Sequence, residues 1–535
     1  MRNRAVRAPG ALWGSRLALF GGRRLTPQGR WRIGLSGLAG GLVLAGLAVP
    51  ATPAVPATPA VPATPAVPAR TGGASTSPPV PAAPFPAAAV TFAGHGAGMG
   101  WGLTQWGAFG YAVVTHEPYA WILAHFYPGT TPETLPAAWD RRVVRVTIEE
   151  NAGAPVVVTS ASSFRVTSGH LEIRAAAGSV LRATIERRGP AAGTFTLARA
   201  PACNAPPRSW RTIASRLVDP VFSPLSQAAA APAKDLLELC RADHKMITYR
   251  GRLQAFDHDG LARTLSLVPL EQYVADVLPD ESPAGWGTFG SAGPQGHAWG
   301  FQELEAQAVA ARTYVLAQIA DGGWYGYADI CDDICQSYTK GTGFENPLST
   351  AATKDTAGEV LDLAGAPAPT QYSASSGGYT RGSTAFSPVV DAGDSVCIGG
   401  ADSLGCNPWH DWTASVQVRD VEHRFPRIGK LSSVRVTERN GLGDGGGRVL
   451  RIELIGTTGR TQTLSGLRCA EDFGLVSDWF SVTDGPGATE QPAAGAEPPA
   501  GAGASAGAKG PAEAGIHDRG SGPLRGAASR GRRHR

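Results

Sequence analysis

Two adjacent carboxylates, Asp280 and Glu281, are the residues of this chain best suited to acid–base chemistry. A Pro-Ala-x-Trp turn follows them and brings Trp286 close. A glutamate partly buried beside an aromatic ring has a raised pKa and stays protonated, which is what a general acid needs. We expect a short apolar strand to end here, so that the two neighbouring side chains point apart and only one faces a substrate. In the alternative interpretation, both carboxylates cap a turn.

Arg312 is the second unusual residue, because it falls within the apolar stripe of a helix that we predict over residues 302–319. A guanidinium facing a core is costly unless it is paired and hydrogen-bonded. We therefore expect Arg312 to meet a carboxylate or a ring of backbone carbonyls. It would be either a structural ion pair or a residue that lines a substrate site. The stripe has helical spacing and consists of Leu304, Ala308, Ala311, Val315 and Ile319.

Strands and this one long helix must position these groups. Short β-branched runs between residues 141 and 198 are separated by Gly, Asn and Pro, which is typical of an antiparallel sheet. Further strand patterns occupy residues 247–268 and 431–482. We predict an α+β fold with mixed and antiparallel sheets, one principal helix that carries the AQAVAARTY segment, an added β-rich segment, and disordered ends.

The two ends have compositions that do not build a core. Several arginines precede an apolar run at residues 33–49, which is typical of an export signal. The repeat ATPAVP then occurs three times in residues 51–68, which indicates an extended spacer. The tail beyond about residue 484 is rich in Gly, Ala and Arg, and we expect it to be disordered. An uncleaved signal would be the only attachment to a membrane.

The overall composition excludes some classes of protein and indicates a compartment. The 535 residues carry 48 Lys and Arg against 44 Asp and Glu, a balance that argues against nucleic acid as a partner. All seven cysteines lie beyond the signal, so we expect disulfides in an exported protein, with one cysteine left over. We predict the pairs Cys203–Cys240 and Cys397–Cys406, although the sequence does not determine the connectivity.

Several longer motifs follow one another along the chain. They are GHGAGMGWGLTQWGAFGYA (94–112), WILAHFYPGTT (121–131), LVPLEQYVADVLPDESPAGWG (267–287), FQELEAQAVAARTYVLAQ (301–318), CQSYTKG (335–341), TAGEVLDLAGAPAPTQYSASSGGYT (356–380), NPWHDW (407–412) and LSGLRCAEDFGLVSDWF (464–480). In their number and order, these motifs resemble the stage II sporulation protein D / LytB (SpoIID/LytB) family of peptidoglycan-active proteins. The resemblance covers most of the chain from Phe92 to Val482.

Composition at the two ends and the resemblance in between suggest how the chain divides. We predict an export signal (1–54), a Pro/Ala-rich linker (55–86), a Gly-rich SpoIID-type N-terminal motif segment (87–139), a β-rich inserted segment (140–245), a SpoIID/LytB-like catalytic domain (246–482) and a disordered Gly/Ala/Arg tail (483–535).

The resemblance implies that Glu281 is the catalytic residue of a lytic transglycosylase, which cleaves between N-acetylmuramic acid and N-acetylglucosamine. In such an enzyme one glutamate acts as acid and then as base, while the sugar's C6 hydroxyl closes a 1,6-anhydro ring. LytB-type members are instead described as modifiers of an amidase, and a structural wall protein is a third interpretation. The implied partners are peptidoglycan glycan strands and possible amidases, at the cell wall or the extracellular side of the cytoplasmic membrane.

The resemblance also implies a substrate cleft built from two polar segments. Small hydroxyl and glycine residues let backbone amides approach a polyhydroxylated ligand, and tyrosines offer a flat face to a sugar ring. The alternative is a tight turn with core tyrosines. We expect one open groove to be lined by Glu281 and by the candidate binding residues Arg312, Gln336, Tyr338, Tyr372, Ser373, Ser375, Ser376, Gly377 and Gly378.

The sequence departs from the family pattern near both ends of this cleft. Met99 stands where the family has a second histidine, so we assign no role to that position. We expect Gln105 and Trp106 to pack beside the cleft. A Gly-rich loop is inserted at residues 287–300. His297 and Trp299 in this loop are candidates for contacting sugar. In the alternative interpretation, the segment is simply an exposed loop.

A metal cofactor is not expected. Some family members place His and Cys ligands for zinc near the Cys-Gln-x-Tyr motif. Here Cys331 and Cys335 have no histidine close to them in sequence, and zinc requires four ligands. We therefore read these two cysteines as one disulfide or as halves of two.

Overall fold

The computed structural model describes residues 82–136, 139, 142–187, 193–228, 230–399 and 404–485. The predicted export signal, almost all of the linker and nearly all of the tail lie outside the described residues. The described chain combines helices with strands in mixed and antiparallel sheets, so the predicted α+β class is confirmed.

The helices of the described chain are α1 (Gln105–Gly110), α2 (Tyr119–Phe126), α3 (Leu270–Glu281), α4 (Phe301–Ala320), α5 (Pro347–Asp355), α6 (Val418–Arg424) and α7 (Gly466–Phe473). Its strands are β1 (Ala89–His95), β2 (Leu103–Thr104), β3 (Thr131–Thr134), β4 (Val143–Thr147), β5 (Val156–Thr159), β6 (Phe164–Ser168), β7 (Leu171–Ala175), β8 (Val180–Ile185), β9 (Phe195–Ala200), β10 (Arg211–Leu217), β11 (Val221–Pro224), β12 (Leu237–Cys240), β13 (Met246–Tyr249), β14 (Arg252–His258), β15 (Leu261–Pro269), β16 (Ile330–Cys331), β17 (Glu359–Leu363), β18 (Ala366–Pro367), β19 (Tyr372–Ser373), β20 (Cys397–Ile398), β21 (Gly405–Cys406), β22 (Asp411–Gln417), β23 (Leu431–Arg439), β24 (Val449–Gly456), β25 (Thr461–Leu464) and β26 (Phe480–Val482).

Two large sheets hold most of the β-rich part. One has seven strands in the order β16-β4-β15-β14-β11-β6-β7, and all its pairs are antiparallel except β16 with β4. The other has six strands in the order β10-β9-β8-β5-β12-β13. The first sheet joins strands from both sides of residue 246, so hydrogen bonds cross the boundary that we predicted between the inserted segment and the catalytic segment.

Helix α4 is the predicted principal helix, and its position is confirmed. Leu304, Ala308, Ala311 and Val315 of the predicted stripe have no exposed surface. The other faces of the helix are covered too, because α1, α2, α3 and α5 all pack against it. A helix enclosed in this way holds its polar side chains rigidly, and it provides the frame for the candidate site.

The segment that leads to Glu281 is helix α3, so the predicted strand end is wrong. Its apolar side chains recur three and four residues apart, which is the helical period. Successive residues therefore lie roughly 100° apart around an axis rather than on opposite faces of a strand. The buried apolar residues of α3 are Leu270, Tyr273, Val274, Val277 and Leu278.

The two ends of the described chain meet in one small sheet. Strand β1 pairs with β22 on one side and with β26 on the other, both antiparallel. Another sheet, β23-β24-β25, packs beside it, and the two share an apolar core of their own.

Three disulfides tie the described chain. Both predicted pairs, Cys203–Cys240 and Cys397–Cys406, are confirmed. Cys331 and Cys335 form the third, the first of the two alternatives that we considered, and Cys469 is a buried free thiol. No helix within the described ranges combines the length and apolar character needed to cross a membrane.

Candidate active site

The carboxyl group of Glu281 lies where three distant segments of the chain meet. Its Oε1 accepts hydrogen bonds from the backbone amide of Ser337 (2.5 Å) and from the hydroxyl of Tyr372 (3.1 Å). Its Oε2 accepts a longer one from Gln105 Nε2 (3.4 Å). Glu281, Ser337 and Tyr372 are each half-buried, so the group that they form borders the surface.

Burial raises the pKa of Glu281 to about 7, and the nearby Asp280 acts in the same direction. The three hydrogen bonds stabilise the ionised form and therefore limit this rise in the pKa. A carboxyl group with such a pKa exchanges a proton near neutral pH, as a general acid and base must.

Asp280 contacts the same loop as Glu281, but at a different residue. Its Oδ2 accepts hydrogen bonds from the backbone amide (3.0 Å) and the hydroxyl (3.2 Å) of Thr339. Glu281 accepts its bond from Ser337, which lies two residues before Thr339 in the loop. The two adjacent carboxylates thus anchor the loop together, and only Glu281 also reaches Tyr372 and Gln105.

Gln336 supports the site from beneath. Its Nε2 donates to the carbonyl of Ala311 in α4 (3.0 Å) and to the hydroxyl of Tyr372 (3.1 Å). Its Oε1 accepts from the hydroxyl of Tyr273 in α3 (2.7 Å). With 1% of its surface exposed, Gln336 fixes Tyr372 rather than reaching outward.

Arg312 and Tyr338 lie away from this group. Arg312 has no exposed surface, and its guanidinium forms two hydrogen bonds of 2.8 and 2.7 Å to Glu271, so the predicted carboxylate partner is confirmed. Glu271 is ten residues before Glu281, or about 15 Å along the helix. The contacts of Arg312 are those of the structural ion pair. Tyr338 is also fully buried and bonds to Ser266 (3.2 Å), so neither residue offers a surface to a ligand.

The predicted polar turn at 373–378 is held from behind by two aspartates. Asp394 accepts from the hydroxyl of Ser375 (2.8 Å) and from the backbone amides of Ser376 and Gly377 (both 2.9 Å). Asp391 accepts from the hydroxyl of Ser376 (2.6 Å). Both serines are fully buried, and their side chains face these carboxylates instead of Glu281.

The remaining members of the turn have different surroundings. Ser373 is nearly buried and donates to the carbonyl of Trp101 (3.4 Å). Gly377 (φ +78) could not be replaced without strain, because an added Cβ would lie 2.6 Å from the Cβ of His95. Gly378 (φ +107) has more room, and its amide donates to Ser376 Oγ (3.0 Å). Glycine is required here for the left-handed backbone.

The Gly-rich N-terminal motif borders the site, and the expected position of Gln105 is confirmed by its contact with Glu281. Trp106 follows it, with its amide bonded to the carbonyl of Ala374 (3.0 Å) and its ring 4.9 Å from that of Trp286. Thr104, which precedes them, donates to Asp391 Oδ2 (2.5 Å). This single short segment therefore joins Glu281 to the aspartate-held turn.

The inserted loop at 287–300 is ordered against aromatic neighbours. The ring of His297 stacks on Phe301 at 3.8 Å, and Trp299 stacks on His116 at 4.9 Å. A contact of either with sugar stays a prediction.

Two histidines near the turn are each oriented by a carboxylate. His410 Nδ1 lies 2.8 Å from Asp394 Oδ2, and His95 Nδ1 lies 2.7 Å from Asp411 Oδ1. The bond to Asp394 raises the pKa of His410. Within the part of the chain that the structure describes, no group of three or more His, Cys, Asp or Glu is arranged to hold a metal ion.

One family model, described as Stage II sporulation protein (SpoIID), matches residues 258–362. The chain carries a SpoIID domain. This match includes helices α3 and α4, Glu281 and the loop that bears Gln336. The predicted SpoIID/LytB resemblance is therefore confirmed for these residues, and the domain is of a sporulation- and cell-wall-related kind. Comparisons with curated proteins and with solved structures gave no match.

The SpoIID match ends before Tyr372 and begins after Gln105, yet both side chains contact Glu281. Sequence reasoning identified these two, but it missed Tyr273, Asp391, Asp394 and Glu303. Glu303 is fully buried, and its Oε1 accepts a hydrogen bond (2.7 Å) from the hydroxyl of Ser282, the residue that follows Glu281. Had α3 been predicted as a helix, its period would have placed Tyr273 on the buried face. Asp391 and Asp394 lie in a segment with no periodic pattern, so no signal in the sequence indicated them.

Proposed function

We propose that this protein is an exported lytic transglycosylase that cleaves the MurNAc–GlcNAc bond of peptidoglycan glycan strands. The observation that carries this proposal is the state of Glu281. Glu281 is half-buried, its carboxyl group accepts three hydrogen bonds from separate segments, and burial raises its pKa to about 7. Below that pH it holds the proton that the leaving oxygen of a glycosidic bond requires.

One carboxyl group can serve both halves of this reaction. Glu281 gives its proton to the glycosidic oxygen as the bond to C1 breaks. The carboxylate then takes the proton of the C6 hydroxyl, whose oxygen bonds to C1 and closes the 1,6-anhydro ring. No water is consumed, and the acid is regenerated.

The surroundings of Glu281 favour this route over ordinary hydrolysis. Hydrolytic glycosidases place a second carboxylate across the scissile bond. The neighbouring Asp280 is bonded through Oδ2 to Thr339 and helps to hold the loop. Export is supported separately by three disulfides in the described chain, since such bonds persist in oxidising compartments.

The test is to incubate purified protein with peptide-free glycan strands and to identify the products by mass. We expect products with 1,6-anhydro-muramyl ends, and a loss of at least about 100-fold in Glu281→Gln, the scale of a general acid. Asp280→Asn is the matched control and should retain most of the activity. Products with ordinary reducing ends, or full activity in Glu281→Gln, would refute the proposal.

The parent protein and Glu281→Gln also distinguish a lytic transglycosylase from a modifier of an amidase. A modifier would release no anhydro product by itself and would accelerate an added N-acetylmuramoyl-L-alanine amidase equally well with Glu281→Gln.

A further inference from the structure

The six-stranded sheet exposes an unusual pair of like charges at its edge. Arg199 in β9 and Arg211 in the edge strand β10 are directly opposite each other in the antiparallel register. Both side chains are exposed, and neither has a hydrogen bond or ion pair within the described residues. Like charges in directly opposed positions destabilise a sheet, so folding alone does not account for this pair.

The surrounding sequence increases the positive charge. Between Arg187 and Val218 the chain has no acidic residue, and Arg208 is exposed in the turn that leads into β10. The disulfide Cys203–Cys240 links that turn to β12 and so restricts the movement of the backbone that carries Arg208.

A second pair of opposed arginines in the described chain has its positive charge offset by a nearby carboxylate. Arg165 in β6 and Arg174 in β7 are also directly opposed. There, Arg174 Nε lies 3.1 Å from Glu172 Oε1, so a carboxylate from the same chain offsets the charge. The pair formed by Arg199 and Arg211 has no such carboxylate, and an external anion can take that place.

We propose that Arg199 and Arg211 form a non-catalytic site for the free lactyl carboxylates of peptide-free glycan strands. Two guanidinium groups on opposed residues can share one carboxylate, and arginine binds carboxylates with paired, charge-assisted hydrogen bonds. Each muramic acid residue offers such a carboxylate only when its peptide has been removed. The choice of this ligand rests on the proposed function, while the anion site itself follows from the register and exposure of the two arginines.

The test measures binding in the full-length Glu281→Gln protein, so that cleavage does not interfere. The probes are peptide-free glycan strands and the same strands with their carboxylates converted to methylamides. We expect the Arg199→Gln/Arg211→Gln variant to bind the acidic strands about tenfold more weakly. The neutral strands should bind weakly and equally to both proteins, and salt should weaken only the binding of the acidic strands. The matched control, Arg165→Gln/Arg174→Gln, should bind like the parent.

One further variant separates a ligand site from a structural or solubility role of the edge arginines. Arg211→Glu places a carboxylate opposite Arg199, so its melting temperature should rise while binding of acidic strands is lost. A fall in stability together with unchanged binding would overturn the proposal. So would equal binding of acidic and neutral strands, or no binding at all. If these binding results hold but the protein with Glu281 intact releases no anhydro product, the proposed function fails and the anion site remains.

Discussion

The hydroxyl of Tyr372 lies 3.1 Å from Glu281 Oε1 and 3.1 Å from Gln336 Nε2, so one phenol joins the candidate acid to a buried amide. Because this hydroxyl donates to the carboxylate, it stabilises the ionised form of Glu281 and lowers a pKa that burial raises. Gln336 fixes the phenol through its contact with α4, and the proton affinity of Glu281 thus depends on the rigid core.

The first prediction concerns the pH dependence of activity. Glu281 has a pKa of about 7, so its protonated form, and with it glycan cleavage, should decline as the pH rises through 7. Tyr372→Phe removes a hydrogen bond to the ionised form, so the pKa should rise and the alkaline limb should move to higher pH. The measurement is the initial rate of anhydro-product release from pH 5 to 9.

Tyr314→Phe is the control for this change. Its ring lies 6.3 Å from that of Tyr372, and its hydroxyl has no hydrogen bond within the described chain. Its pH profile should match that of the parent. An alkaline limb that stays in place in Tyr372→Phe would show that another group controls the profile.

The second prediction distinguishes the two interpretations of Arg312. Arg312 is fully buried against Glu271 and also donates to the carbonyls of Glu359 and Thr353 (both 3.2 Å). Arg312→Gln leaves the partly exposed carboxylate of Glu271 without its charge partner, so the free energy of unfolding should fall by about 3 kcal/mol, the lower end of the range for a buried pair. Chemical denaturation measures this change. A variant with parental stability but weaker glycan binding would instead indicate a residue that lines the substrate site.

The sequence predicted the parts of the fold that have a strong local period. Helix α4 is long and regular, and its bounds were predicted to within a residue. The shorter α3 follows strand β15 without a glycine between them, and its valines and tyrosine also suit a strand; tertiary packing against α4 and α5 favours the helix.

Residues of the candidate site could be predicted from the sequence only where they lie in a motif of the SpoIID/LytB family. Glu281, Gln105 and Tyr372 come together as expected, whereas Ser375 and Ser376 face inward. A sequence shows that serines are hydroxyl donors but not which acceptor they will find. Their acceptors lie 15 to 19 residues further along the chain, across a loop with no repeating pattern.

The third prediction tests Asp394 as the residue that holds the polar turn. It bonds to Ser375, Ser376, Gly377 and His410, and the bond to His410 raises the histidine's pKa. In Asp394→Asn, the pKa of His410 should fall toward its ordinary value of about 6.5. Titration of the histidine resonances by NMR measures this shift.

The matched control for Asp394→Asn is Asp411→Asn, because Asp411 pairs with His95 on the neighbouring strand. That change should lower the pKa of His410 less than Asp394→Asn does, because Asp411 raises it only through its charge and not through a hydrogen bond. An unchanged His410 pKa in Asp394→Asn would show that the contact between the two side chains does not persist in solution.

The fourth prediction concerns stability and rests on Glu303. Burial raises its pKa to about 8, whereas the same group in the unfolded chain titrates near its ordinary value of 4.5. Between these values the folded state holds a proton that the unfolded state has lost, so stability should decrease as the pH rises through this window. Each unit of pKa difference corresponds to about 1.4 kcal/mol. Glu303→Gln cannot lose a proton, so it should be more stable than the parent at pH 8 by a few kcal/mol, about the size implied by this shift.

Denaturation midpoints measured from pH 5 to 8.5 would show this as a shallower decline in Glu303→Gln. The decline should not vanish, because burial also raises the pKa of Glu281, Glu305, Asp332 and Asp391 to about 7. Glu422→Gln is the opposite control. Its pKa is lowered by bonds from Lys430 and the amide of Leu431, so it is ionised in both states throughout this window and its removal should leave the slope unchanged. Parallel slopes for parent and Glu303→Gln would mean that Glu303 is ionised in the folded protein, and Ser282 would then be bonded to a charged carboxylate beside Glu281.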